Sequence, residues 1–160
     1  MHWTQNNSGA AFFGVVAGAN LSITAGAGQD GQQQTGPIID RMATGRPWAR
    51  SGKIMQPFLT TLASGQSLAF AVVLEHGNEP TMSDATTFVS ANLTVQTAPT
   101  GPVVAANGVG AVNVDLMGAK RYLRVKYTPN LSASGTDTAV LGQSIFALGG
   151  LEHIPVPSGM

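Results

Sequence analysis

Three features of this chain have the residue types that chemistry requires: three histidines, eight carboxylates and one glycine-rich run. The run Ala25-Gly26-Ala27-Gly28-Gln29-Asp30-Gly31 matches Gly-x-Gly-x-x-Gly. A dinucleotide fingerprint needs a strand before it and a helix after it, so that a pyrophosphate meets the helix N-terminal amides. The next residues, Gln32-Gln33-Gln34-Thr35-Gly36-Pro37, cannot supply that helix, so the run reads as a flexible loop. His2, His76 and His153 include no i, i+4 pair, and Glu75-His76 alone is not a zinc motif. His76 with Glu75, Glu79 and Asp84 comes nearest to a divalent-cation site, but a solvated loop of mixed charge accounts for the group. A glycosidase would need two carboxyls about 5–10 Å apart across a sugar cleft. Glu75, Glu79, Asp84 and Asp115 are the candidates, and Glu75 and Asp115 read instead as wet strand ends. There is no Gly-x-Ser-x-Gly elbow. With no Cys there is no disulfide, thiolate metal site or cysteine nucleophile. The expectation is a protein that is not an enzyme and needs no metal or cofactor.

Two basic clusters remain. Asp40 to Lys53 holds Arg41, Arg46, Arg50 and Lys53, four of the eight basic residues, together with Trp48. It fits neither a period of 2 nor one of 3.6, and so reads as an ordered loop or arm. One reading is a solvated connection with Trp48 plugging the core edge. The other is a contact surface, because Trp and Arg are enriched at interface hot spots. The second cluster is Lys120, Arg121, Arg124 and Lys126, in which a strand would put Arg124 and Lys126 on one face and Arg121 on the other. Arg41, Arg46, Trp48, Arg50, Lys53, Arg121 and Arg124 are the candidate protein-interface residues. Nucleic acid is not expected: net charge is zero, and only Tyr122 lies near the second cluster for base stacking.

The elements that must position these residues are strands. Val112, Val114 and Leu116 alternate with Asn113 and Asp115; Leu123, Val125 and Tyr127 alternate with Arg124, Lys126 and Thr128. This period of two, with Gly118 at the turn, predicts a pair of strands with one wet and one dry face. Ser67 to Glu75 is a further strand with Leu68, Phe70, Val72 and Leu74 on one face and Ala69, Ala71 and Val73 on the other, which suits a central position. Thr86–Thr97, Ile54–Leu62 (broken by Pro57) and Ala139–Leu148 read as strands, and Ala11–Ala25 as one bent strand or two short ones. Gln29 to Gly36 reads as a loop, and extended structure resumes at Pro37. Seven or eight strands without a helix predict an all-β jelly roll or β-sandwich. Residues 1–53 would form an N-terminal strand, a Gly/Gln-rich loop and a basic arm; 54–150 the body; 151–160 an extended tail. The apolar run Ala10–Ala19 is too short to span a bilayer and lacks preceding Lys or Arg, so no membrane partner is expected. Charged residues are only 10% of the 160, against a typical ~25%, which suggests surface covered by a partner.

The run Gly118-Ala119-Lys120-Arg121-Tyr122-Leu123-Arg124-Val125-Lys126-Tyr127, with the polar loop and closing strand after it, resembles the capsid cement or decoration proteins of tailed bacteriophages. Leu62-Ala63-Ser64-Gly65-Gln66-Ser67-Leu68-Ala69-Phe70-Ala71-Val72-Val73-Leu74-Glu75 resembles that group too, and the similarity covers roughly residues 50 to 150. The resemblance implies a jelly-roll protein, a homotrimer, on the outer surface of an icosahedral virion, clamping neighbouring major capsid subunits without catalysis. Rival readings are a carbohydrate- or receptor-binding β-sandwich module and a minor tail or neck protein.

Overall fold

A computed structural model describes residues 13–43, 48–101, 103–132 and 136–151; His2, Arg46, His153 and the 152–160 tail lie outside the described residues. Ten strands follow one another within them: β1 (Phe13–Val16), β2 (Leu21–Thr24), β3 (Gln34–Asp40), β4 (Ala49–Leu62), β5 (Ser67–Gly77), β6 (Thr86–Thr97), β7 (Val104–Asp115), β8 (Tyr122–Leu131), β9 (Thr138–Leu141) and β10 (Ile145–Leu151). Every pairing is antiparallel. The strands form two sheets: β1 to β10 to β4 to β9 to β2 with β7 on the other edge of β4, and β3 to β8 to β5 to β6.

Ten strands reduce to eight positions. β4 runs unbroken along β10 at its start and β9 at its end, so β9 and β10 are one interrupted strand. β1 and β2 lie against β10 and β9 in the same way. Numbering these positions in chain order gives sheets of order 1-8-3-6 and 2-7-4-5. That alternation of the chain between two four-position sheets is the jelly roll. The all-β sandwich read from the sequence is the observed architecture.

The interruption has a local cause. Pro57 sits inside β4 and has no N–H for the ladder. The Gly142 N–H donates to the Pro57 carbonyl (3.0 Å), so this is the β9/β10 side of β4. There the partner strand carries one extra residue: Phe58 faces Leu141, whereas Met55 faces Ile145. The buried Gln56 side chain closes the gap. Its amide donates to the carbonyls of Gly142 (2.8 Å) and Pro57 (3.0 Å), and its Oε1 accepts from the Ser144 hydroxyl. The Ala17 N–H then donates to the Ser144 carbonyl (2.7 Å). Ala17 also lies close under β3: a Cβ built on Gly36 would stand 1.8 Å from the Ala17 carbonyl oxygen, so only glycine lets the two sheets meet here.

The core lies between the sheets. Ile54, Phe58 and Leu62 of β4 and Val112 and Val114 of β7 face Leu68, Phe70, Val72 and Leu74 of β5 and Leu123, Val125 and Tyr127 of β8. These are the inward positions that the alternation predicts for β5, β7 and β8. Phe58 covers Gly108 directly opposite it, where a Cβ would stand 2.8 Å from the ring.

Two sequence expectations need correction. Gln34–Gly36 is strand, because β3 pairs with β8 from Gln34 onward and absorbs Pro37 in a bulge between Thr35 and Ile38. The Asp40–Lys53 segment is not wholly loop, since β4 begins at Ala49. A boundary at residue 53 falls inside β4, and β1 to β3 supply one edge to each sheet.

Candidate protein-interaction surface

The two outer faces of the sandwich differ in chemistry. On the sheet containing β4, residues pointing away from the core form a connected apolar surface. Val16, Ile145, Met55 and Ala111 stand directly opposite one another in a row across four strands. Val140 faces Leu59, and Pro57 faces Val109, on neighbouring rows. Val109 is 57% exposed, Leu59 53%, Val140 50%, Val16 48% and Ile145 38%. Lys53 and Asp115 are the only charges in residues 13–24, 51–62, 104–115 and 138–148, and both sit at one end, where Lys53 faces Asn113 and Ser51 faces Asp115. Beside Lys53, small residues (Ser51, Gly52, Ala147, Gly149) leave a shallow hollow that Met55 also lines. Scattered exposed hydrophobics are ordinary, but a contiguous patch marks an interaction site.

The outer face of the β3–β8–β5–β6 sheet is mixed: Ala69, Ala71 and Val73 of β5 lie between Thr94, Asn92 and Ser90 of β6 and Asn130, Thr128 and Lys126 of β8, and its charges are paired. Glu75 accepts from Arg124 (2.7 and 3.0 Å) and from Lys126 (2.6 Å). Burial pushes the Glu75 carboxyl up, yet the bonds from Lys126 and Arg124 outweigh it and hold its pKa below the usual carboxylate value. Thr128, Asn130, Asn92 and Thr94 line a shallow depression on the same sheet together with Ala69 and Ala71.

The interface candidates taken from the sequence fall in different places. Arg41 is not on the surface: it is 1% exposed, packed under the turn between β7 and β8. Its guanidinium donates to the carbonyls of Ala119 (2.5 Å), Lys120 (3.1 Å), Leu116 (3.2 Å) and Ala49. Trp48 covers it, with the Arg41 carbon 4.8 Å from the ring centroid. The pair therefore ties the end of β3 to the start of β4 and to the 116–121 turn. Arg121 grips Asp40 through two bonds (2.8 and 3.0 Å) and lies over the Tyr122 ring. Arg124 is held by Glu75. Arg50 is exposed, and its carbonyl accepts from the Leu116 N–H (2.8 Å). Among the described candidates, Lys53 alone stands on the apolar face. Arg46 is outside the described residues.

The residues with chemical potential are used structurally. Asp84 accepts from the N–H groups of Asn78 and Glu79 and pairs with Lys120 at 3.5 Å. The His76 ring lies 4.8 Å from Phe88, and its Nδ1 accepts from the Lys120 N–H (3.3 Å). Among the described residues no group of three or more His, Asp or Glu is arranged to hold a metal. The glycine-rich run is a turn: Gly26, Gly28 and Gly31 have φ of 70°, 63° and 71°, and Asp30 accepts from the Gly26 N–H (2.8 Å).

Val140, Ile145, Leu59 and Val109 were the residues hardest to place from sequence. No sequence signal marks them; for the first two the structure gives the reason. Leu141 and Phe146 are both buried although five residues apart, which a straight strand cannot achieve. The bulge at 142–144 that reconciles them turns Val140 and Ile145 outward.

No family model and no curated protein matches the chain. Among solved structures, the PBSX exported protein XepA is similar with a TM-score of 0.46 and 16% identity, over 92% of this chain and 40% of that one. A structure of infectious bursal disease virus, Gt strain, gives a TM-score of 0.46 and 14% identity, over 89% of this chain and 34% of that one. The VP2 subviral particle of the same virus gives 0.39 and 12%, over 88% and 37%. This chain spans less than half the length of each.

Proposed function

We propose that this protein is a structural component of a virion that cements an icosahedral phage shell from outside, seated on the major capsid protein by the apolar outer face of its β4-containing sheet. In this reading it turns over no substrate. One observation carries the proposal: the outer face of the β4-containing sheet exposes Val109, Leu59, Val140, Val16 and Ile145 together with charges only at one end, while the other outer face carries the Glu75–Arg124–Lys126 ion pairs. A jelly roll standing alone in water gains nothing by exposing Leu59, Val140 and Val109 side by side, whereas seating that face on a partner removes it from water at roughly 25 cal/mol per Å². The resemblance of residues 50 to 150 to phage decoration proteins supports a shell as the partner. Several modest contacts repeated around a lattice become strong together through effective concentration.

The test is decoration of purified particles by Leu59→Lys and Val140→Lys variants. Both side chains already face water, so thermal unfolding should stay within about 0.5 kcal/mol of the parent, while occupancy on particles falls at least tenfold. Full occupancy by both variants would rule out this face. A copy number of a few per particle would favour a tail or neck component instead.

A further inference from the structure

The sandwich has four strand edges, and three of them are interrupted. β6 carries two bulges, skipping Val95 and Phe88 in its pairing with β5. β3 is bent by the bulge at Pro37. The β1/β2 edge is broken between Val16 and Leu21. Bulges, prolines and breaks of this kind stop an edge from pairing with another chain. β7 has none of them. It pairs with β4 in one continuous register from Val104 to Asp115, without a proline, and its single charge is the terminal Asp115.

Its free groups can be identified. Pro57 directs its carbonyl toward Gly142, so odd-numbered residues of β4 face β9 and β10 and even-numbered ones face β7. Gln56 opposes Gly110 and Phe58 opposes Gly108, so the even-numbered residues of β7 bond back to β4. The N–H and C=O groups of Ala105, Asn107, Val109, Ala111, Asn113 and Asp115 therefore point away from the sheet. Among the described residues, no hydrogen bond outside the strand ladders engages these groups.

We propose that β7 pairs antiparallel with β7 of a second copy about a two-fold axis at Gly110. This register matches all six free residues. Val109 opposes the partner's Ala111, Asn107 the partner's Asn113, and Ala105 the partner's Asp115, each pair occurring twice. No charge meets a like charge. Six mutually bonded pairs give about twelve main-chain hydrogen bonds, comparable to the ~10 direct bonds of a typical stable interface. A closed two-fold contact is also the commonest form of self-assembly, and it is a dimer where the resemblance implies a trimer. The axis stands perpendicular to the sheet, so the apolar faces of both copies lie on the same side as one continuous platform. The pairing is read on the isolated protein, so its outcome is separate from that of the shell proposal.

Sedimentation equilibrium on the full chain tests it. The parent should be a dimer. Val109→Pro removes an N–H that β4 does not use, and should weaken the dimer at least tenfold while far-UV circular dichroism stays unchanged. Asn107→Asp with Asn113→Asp sets like charges directly opposite one another twice, and should weaken it roughly tenfold at neutral pH. Asn107→Lys with Asn113→Asp should restore it. This charge pair keeps the test valid should the proline variant not fold. Leu59→Lys, on the face rather than the edge, should remain dimeric. A monomeric parent at the highest attainable concentration would overturn the proposal. So would a charge reversal without effect, or dissociation by Leu59→Lys in place of the edge variants.

Discussion

Arg41 shows how a residue type can mislead when its surroundings are unknown. Arginine beside tryptophan in an aperiodic segment suggests a surface hot spot. Here the planar fork instead collects carbonyl oxygens from the 116–121 turn and from Ala49, with Trp48 as its lid. Nothing in Asp40-Arg41-Met42 marks such a role, because three of the four carbonyls arrive from residues 75 to 79 positions away in the chain. Arg41→Met should cost about 3 kcal/mol in denaturant unfolding, since several buried carbonyls lose a charged donor at once. Arg41→Lys should recover little of it, because an ammonium cannot span the same fork. His76 makes a prediction in pH. Burial lowers its pKa from 6.5, with the charge of Lys120 acting in the same direction. The folded state therefore favours the neutral ring. Its contribution is fully present above pH 6.5 and is lost as pH falls through the depressed folded value. Glu75, also lowered, adds a second loss beginning below about 4.5. The midpoint of unfolding should be flat between about pH 7 and 9, fall above pH 10.0 because burial raises the Tyr127 hydroxyl pKa in the folded state, and decline in two stages on acidification, the second shared by Glu75 and Asp84, and His76→Phe should abolish the first acid stage.

At the scale of the element, the fold follows from what each strand can and cannot bond. The alternations of β5, β7 and β8 were legible because each strand is regular through its length and one face is apolar. Elements with bulges were legible unevenly: Thr86–Thr97 is strand β6 as read despite its two bulges, whereas the start of β3 was missed. Gln34–Gly36 has loop composition and becomes strand only because β8 offers it a ladder and the bulge at Pro37 absorbs the missing donor. The Gly/Gln composition of that stretch sets a weak local preference, and tertiary pairing overrides it. β4 presents the sharpest case. Pro57 argues against a central strand, yet β4 is central because the missing donor coincides with the partner's bulge and Gln56 supplies the substitute. Gln56→Met removes both polar ends of that bridge. It should cost about 2 kcal/mol by leaving the Gly142 carbonyl and the Ser144 hydroxyl without their partner. Amide exchange should accelerate first at 142–144, as nuclear magnetic resonance would show.

For the whole molecule, the class was readable and the orientation was not. Period-two patterns, tight glycine turns and the absence of helical spacing suffice for an all-β sandwich. They do not reveal which outer face is apolar, since a straight strand over Ala139–Leu148 would put Val140 and Ile145 on opposite faces until the bulge at 142–144 is known. Low overall charge hinted at a covered surface without locating it. The location has a practical consequence. The face formed by Val16, Ile145, Met55, Leu59 and Val109 offers dissolved ions only Lys53 and Asp115 at one end to shield, so an attachment made through it should resist the brine washes that strip electrostatically held accessories. Sulfate, by raising the cohesion of water, should tighten it further.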